Sequence, residues 1–218
     1  MNTSTHPRDR LINTAATLVH KQGWTATGIN QILAEAGIPK GSFYYYFRSK
    51  EALGVAVVQN HHAQLKALFE RTLENAGLSP DAAIYELMKS LSLDGTIPTD
   101  DAVFKYGCPI GALVSEIATQ SPALLAEANR CLSLYETAWQ NLITRGQKEG
   151  SIVPTIDPVE ISKVATMALQ GALHSVRRLN TVEPLSLVFS WIHQILFSSA
   201  AAKSSQPSTY PKLQILAS

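Results

Sequence analysis

The chain has 218 residues and a formal net charge of +1; 45% of its residues are apolar and only 16% are charged. A chain this apolar can bury a core, so global disorder is excluded, and the length suggests one to two domains. No stretch reaches the roughly 18 apolar residues of a membrane span, residues 1–7 are polar with no apolar signal core behind them, and Cys108 and Cys131 form no spacing motif, so a cytoplasmic protein without a membrane partner is expected.

In chain order the pattern is helical, punctuated by Gly and Pro, with no sustained period-two alternation. Residues 8–21 form the first predicted helix, with Leu11, Ala15 and Leu18 on one face. Gly23 follows as a helix-ending residue, and Trp24 is placed to fold back on the helix end. Thr27 is positioned to cap a short second helix carrying Ile29, Ile32, Leu33 and Ala36, and Gly37 ends it. Pro39 opens a third helix whose core pair is Phe43 and Phe47. Ser49 caps a fourth that runs toward Gly77. Ser79-Pro80, Cys108-Pro109, Ser121-Pro122, Asp157-Pro158 and Glu183-Pro184 each announce a further helix. Asp157 with Glu160 is a capping-box variant. Residues 94–101 read as a loop and residues 201–218 as a mobile tail. The expected fold is all-α with about nine helices, divided into a reading domain over residues 1–53 and a regulatory and dimerisation domain over residues 54–200.

Residues 1–60 hold six basic and three acidic groups, an excess of the sign that suits phosphate. Within them, residues 27–50 place two short helices around the tight turn Ala36-Gly37-Ile38. That is a helix-turn-helix pattern, whose second helix can enter a DNA major groove. Phe43 and Phe47 face inward; Lys40, Ser42, Tyr44 and Tyr45 lie on the other side. Lys40 can donate to guanine or phosphate, and Gly41 lets the backbone come close to DNA. Ser42 and Tyr45 can serve base edges or phosphates. Successive helix positions point about 100° apart, so Tyr44, Tyr45 and Tyr46 cannot all face one core. Lys50 and the N–H groups around it stand at the start of the fourth helix, where a phosphate is favoured.

The stretch from Arg8 to Leu53 resembles the DNA-binding domain of the TetR/AcrR family of transcriptional regulators. The residues that carry the resemblance are Gly23-Trp24, Thr27, Ile32, Ala36-Gly37-Ile38, Lys40-Gly41-Ser42-Phe43-Tyr44, Tyr46-Phe47, Ser49-Lys50-Glu51 and Leu53, without a gap. The resemblance implies an all-helical homodimer that represses a palindromic operator in double-stranded DNA until a small-molecule effector releases it. It implies that Thr27, Tyr46 and Lys50 hold phosphates, that Lys40, Ser42 and Tyr45 reach bases or nearby phosphates, and that Asn30 faces DNA. Tyr45 departs from a frequent His, and Pro39 replaces a frequent Ser. Residues 38–58 with Gly107-Cys108-Pro109-Ile110-Gly111 resemble a subgroup that responds to small reactive or short-chain compounds.

The last predicted helix is apolar all round, so one face needs a partner. Val188, Trp191, Ile192 and Ile195, with Ala168, Gly171, Ala172 and Ser175 on the helix before, are the expected two-fold interface. A regulatory pocket is expected between the fourth, sixth, seventh and eighth helices, lined by His62, Phe69, Phe104, Tyr106, Cys108, Tyr135, Trp139, His174 and Arg177. His61-His62 lacks the partners of a zinc site, so no metal and no cofactor are expected. Cys108 stands at a helix N-cap, where a thiolate is favoured, and is the candidate for an electrophile-sensing thiol; ordinary packing is the alternative. The chain holds no GxSxG, HExxH or P-loop, which argues against an enzyme. An activator of the same fold is the other regulatory reading.

Overall fold

The computed structural model describes residues 6–90, 108–117 and 121–197. Among them are nine α-helices and no strand: α1 (Pro7–Gln22), α2 (Ile29–Ala36), α3 (Phe43–Tyr46), α4 (Lys50–Arg71), α5 (Pro80–Ser90), α6 (Pro109–Ile117), α7 (Pro122–Lys148), α8 (Pro158–Leu179) and α9 (Glu183–Phe197). The expected loop at 94–101 and the tail at 201–218 lie outside the described residues.

The helix starts follow their capping chemistry. Ser49, Ser79 and Ser121 each accept, through Oγ, an N–H three residues on, from Ala52, Ala82 and Leu124. Asp157 accepts from the Val159 N–H at 2.8 Å. Cys108 does the same at longer range, its Sγ taking the Gly111 N–H at 3.4 Å, so it is the N-cap of α6. Three expectations change. Gly28 rather than Thr27 precedes α2 as its cap residue. Pro39 opens a single 3₁₀ turn over Lys40–Ser42 before the one-turn α3. α4 ends at Arg71, short of Gly77, because Asn75 folds the chain back: its amide donates to the Arg71 carbonyl and its Oδ1 accepts from the Gly77 N–H.

The described residues gather into two compact units, residues 6–66 with 108–134, and residues 67–90 with 135–197. The first unit therefore extends past residue 53 and takes in α6. Its core joins Leu11, Ala15 and Leu18 of α1 to Ile32 and Leu33 of α2, Phe43 and Phe47 around α3, and Leu53 of α4. The α2 end is closed by Gly37 in the left-handed conformation, φ 63°, with the Ile38 N–H donating to Leu33. That turn sets the angle between the two short helices.

In the second unit α8 and α9 pack along each other. Phe189, Ile192 and Leu196 of α9 and Leu169, Leu173 and Val176 of α8 are buried. The Gln147 amide donates to the carbonyls of Val153 and Ile156, and the Arg145 guanidinium donates to the Asn75 carbonyl at 2.7 Å. These bonds tie the chain after α7 and the chain after α4 to one helix.

Candidate nucleic-acid interface

The helix-turn-helix segment separates its residues as the pattern requires. Phe43 is fully buried and Phe47 nearly so, while Tyr44 and Tyr45 are 70% and 84% exposed. Lys40, Gly41 and Asn30 are exposed, Ser42 and Tyr46 half-buried. A Cβ at Gly41 would meet nothing within 4 Å, so this glycine leaves an open approach to the backbone. The three tyrosines diverge: Tyr44 stands edge-on to Phe43, Tyr46 edge-on to Tyr45 and to His6. Arg8 lies over the outer face of Phe47, 5.2 Å from the ring centre, and adds a cation at the base of the segment.

Two expected phosphate contacts sit differently. Thr27 is fully buried, and its hydroxyl donates to the Gly23 carbonyl at 2.7 Å. It is a turn-holding residue, because the chain between α1 and α2 folds over it. Lys50 is half-buried; its ammonium donates to the Trp24 carbonyl at 2.6 Å and lies 4.4 Å from the centre of the Trp24 ring. Burial pulls this ammonium below its ordinary pKa, and the charge of Glu116 opposes the shift.

Glu116 was invisible in the sequence. It ends up against a turn 91 and 92 residues away, where its two oxygens accept the N–H groups of Trp24 at 3.1 Å and Thr25 at 2.8 Å. Burial alone would raise the Glu116 carboxyl. The Thr25 and Trp24 N–H groups, the Thr25 hydroxyl and the Lys50 charge outweigh it and hold the group below its ordinary value. The one local signal was glycine. Gly54, in the middle of a helical pattern, leaves room for the Trp24 ring, which a Cβ there would meet at 2.5 Å.

The expected pocket residues divide. Phe69, Tyr135 and Trp139 come together in the second unit: Phe69 and Tyr135 meet edge-on at 5.0 Å, and Trp139 stands one turn beyond Tyr135 on α7, fully buried. The Trp139 indole N–H is buried with no hydrogen-bond partner. His62 and Cys108 belong to the first unit; His62 is half-buried with an unpartnered Nδ1, and Cys108 is buried. His174 and Arg177 are exposed on α8 and so do not line an interior, because the α8 core face runs through Leu169, Leu173 and Val176. Phe104 and Tyr106 lie outside the described residues. No group of three or more His, Cys, Asp or Glu side chains suited to a metal occurs among the described residues.

The expected interface residues also divide. Ala172 and Ile192 are buried within the chain, in the α8–α9 contact, and are not free for a second copy. Gly171 and Trp191 are exposed, and Ala168, Ser175, Val188 and Ile195 are half-buried. Met167 and Leu187, 65% and 63% exposed, extend the apolar surface beyond the residues expected.

Among the described residues the fold is helical throughout, and its helix-turn-helix segment buries Phe43 and Phe47 behind while exposing Tyr44 and Tyr45 in front, the division a DNA-reading segment requires. Residues 11–57 match the family model for bacterial regulatory proteins of the tetR family, and residues 96–191 match the tetracyclin repressor-like C-terminal domain. The chain is 27% identical over 194 residues to the transcriptional repressor DhaR of Mycobacterium sp. strain GP1, covering 88% of this chain and 93% of that protein. It is 30% identical over 139 residues to the HTH-type regulator YxaF of Bacillus subtilis, covering 63% of this chain and 68% of that protein. The reduced form of Escherichia coli NemR superimposes with a TM-score of 0.76 at 25% identity, over 88% of this chain and 97% of that one. The chain belongs to the TetR family of transcriptional regulators. It regulates transcription by binding DNA and is not an enzyme. No helix among the described residues is long and apolar enough to cross a membrane.

Proposed function

We propose that the protein is a homodimeric repressor whose two heads grip a palindromic operator and release it when a small molecule occupies the regulatory domain. Residues 1–53 are the reading domain and residues 54–200 the regulatory and dimerisation domain in this reading. The observation that carries it is the exposure of Tyr44 and Tyr45 directly after Lys40, Gly41 and Ser42. Large aromatic side chains left in water beside a cation and an open glycine suit a duplex partner. Lys40, Gly41, Ser42, Tyr44 and Tyr45 then meet base edges or adjacent phosphates. Asn30, Tyr46 and Lys50 meet the backbone, and Thr27 shapes the turn they stand on. Two heads of a dimer must match half-sites about 34–36 Å apart, so a ligand that favours a wider state releases both.

The names of DhaR and NemR, both repressors, support repression over activation. The aromatic interior formed by Phe69, Tyr135 and Trp139, with its unpartnered indole N–H, suits an effector with an apolar body and one hydrogen-bond acceptor. Selection of duplex DNA from a random pool by the purified protein, followed by transcript measurement in a deletion strain, tests the reading. Transcripts next to the selected sites should rise in the deletion strain; a fall would make the protein an activator.

A further inference from the structure

Trp24 is held from two sides. Its N–H donates to a Glu116 oxygen at 3.1 Å, and its carbonyl accepts from the Lys50 ammonium at 2.6 Å. Glu116 also takes the Thr25 N–H, so one carboxylate satisfies both N–H groups where the chain leaves α1. The seat is shaped for these groups. Gly23 adopts φ +93°, and a Cβ there would stand 2.5 Å from Glu116 Oε1. A Cβ at Gly54 would strike the Trp24 ring at 2.5 Å and stand 3.2 Å from Leu124. A second tie lies alongside: the Ser121 hydroxyl, at the N-cap of α7, donates to the carboxylate of Glu51, the residue after Lys50. Thus the end of α6 holds the 23–25 turn, and the start of α7 holds the beginning of α4.

We infer that Glu116, on α6, is a positioning residue for DNA binding, which fixes the 23–25 turn and through Trp24 holds the Lys50 ammonium in place for a phosphate. Withdrawing the carboxylate strips the acceptor from two backbone N–H groups, frees the Trp24 peptide to rotate, and returns rotamer freedom to Lys50. DNA affinity therefore depends on a residue well outside the helix-turn-helix segment. A carboxylate near a phosphate backbone repels it, so by charge alone removing Glu116 would tighten DNA binding. Positioning demands the opposite sign, which makes the two effects separable.

The inference rests on the head being the DNA-reading surface, and the test keeps the two apart. Glu116→Ala and Glu116→Gln are made alone and in a Lys50→Ala background. Fluorescence anisotropy on a duplex selected by the wild-type protein gives Kd across a salt series, with circular dichroism and sedimentation as checks on folding and assembly. Glu116→Ala should weaken binding about tenfold, a typical size for coupling between sites. The dependence of log Kd on log salt should become shallower by about one unit, because one phosphate contact loses its registration. In the Lys50→Ala background the same change should add almost nothing. Glu116→Gln, keeping one acceptor oxygen, should fall between, and it carries the test if the Ala variant does not fold. Wild-type or tighter affinity in a folded Glu116 variant overturns the inference, as does a loss that adds fully to that of Lys50→Ala with the salt slope unchanged. If Lys50→Ala itself leaves affinity and slope untouched, it is the placement of the head on DNA that fails.

Discussion

Glu116 and Lys50, 66 positions apart in the chain, hold the two sides of one residue: the carboxylate takes the Trp24 N–H and the ammonium caps its carbonyl. Opposite charges placed at the donor and acceptor ends of a short backbone segment fix its orientation more firmly than either could alone. The DNA-reading head is thereby anchored to α6 by polar contacts of defined direction, in addition to its apolar core.

Lys50→Ala removes both a proposed phosphate contact and the cap on Trp24. Binding should weaken by a similar factor for every duplex sequence, with the salt slope reduced by about one. The protein itself should lose about 1 kcal/mol from the missing hydrogen bond and the ammonium–indole contact. Salt-dependent anisotropy and a urea titration measure the two effects; a sequence-selective loss would place Lys50 at a base edge instead.

Trp191 and Ile192 are neighbours on α9 with opposite environments, 41% and 1% exposed. If the proposed contact between copies runs through Trp191, Trp191→Glu should put an unpaired charge in it and yield a folded monomer by sedimentation. Ile192→Ala should leave assembly to be decided by folding and lower stability by about 3 kcal/mol through the cavity it opens. A stable dimer carrying Glu at 191 would move the interface elsewhere, toward Met167 and Leu187 or beyond.

Burial pushes the His61 imidazole down to about 4, with the charges of His20 and His62 acting in the same direction. A histidine with a depressed folded pKa binds its proton more readily when unfolded. Its contribution is therefore complete above about pH 6.5 and is lost as pH falls through 6.5 toward 4, by no more than about 3 kcal/mol. Thermal melts between pH 7 and pH 4 should show this loss in the wild type and a smaller one in His61→Leu. Parallel curves for the two proteins would mean that His61 does not titrate in this range.

Burial raises the Cys131 thiol to about 12, with Cys108 and Glu127 adding to the shift. In the folded protein Cys131 should resist a thiol reagent near neutral pH, since the thiolate is the reacting form. If an electrophile is the effector, gel shifts should show release of DNA in the wild type and in Cys131→Ser but not in Cys108→Ser. Equal release in all three would leave Cys108 as the packed N-cap of α6 and the effector as a reversible ligand.

The helix-turn-helix segment could be read directly from the chain because its information is local. Gly37 terminates α2 through its left-handed backbone, Phe43 and Phe47 lie one turn apart, and the Ser49, Ser79, Ser121 and Asp157 caps act within three residues. Asp157-Pro158 likewise marked the start of α8. Tertiary structure alone decided where side chains went once several helices competed for them. Thr27 turned inward to the Gly23 carbonyl, Ile192 and Ala172 joined the chain's own core, and His174 and Arg177 faced water. Above all, no spacing rule connects Glu116 to Trp24 and Thr25, because a contact across some 90 residues is fixed by how helices pack and leaves no period in the sequence.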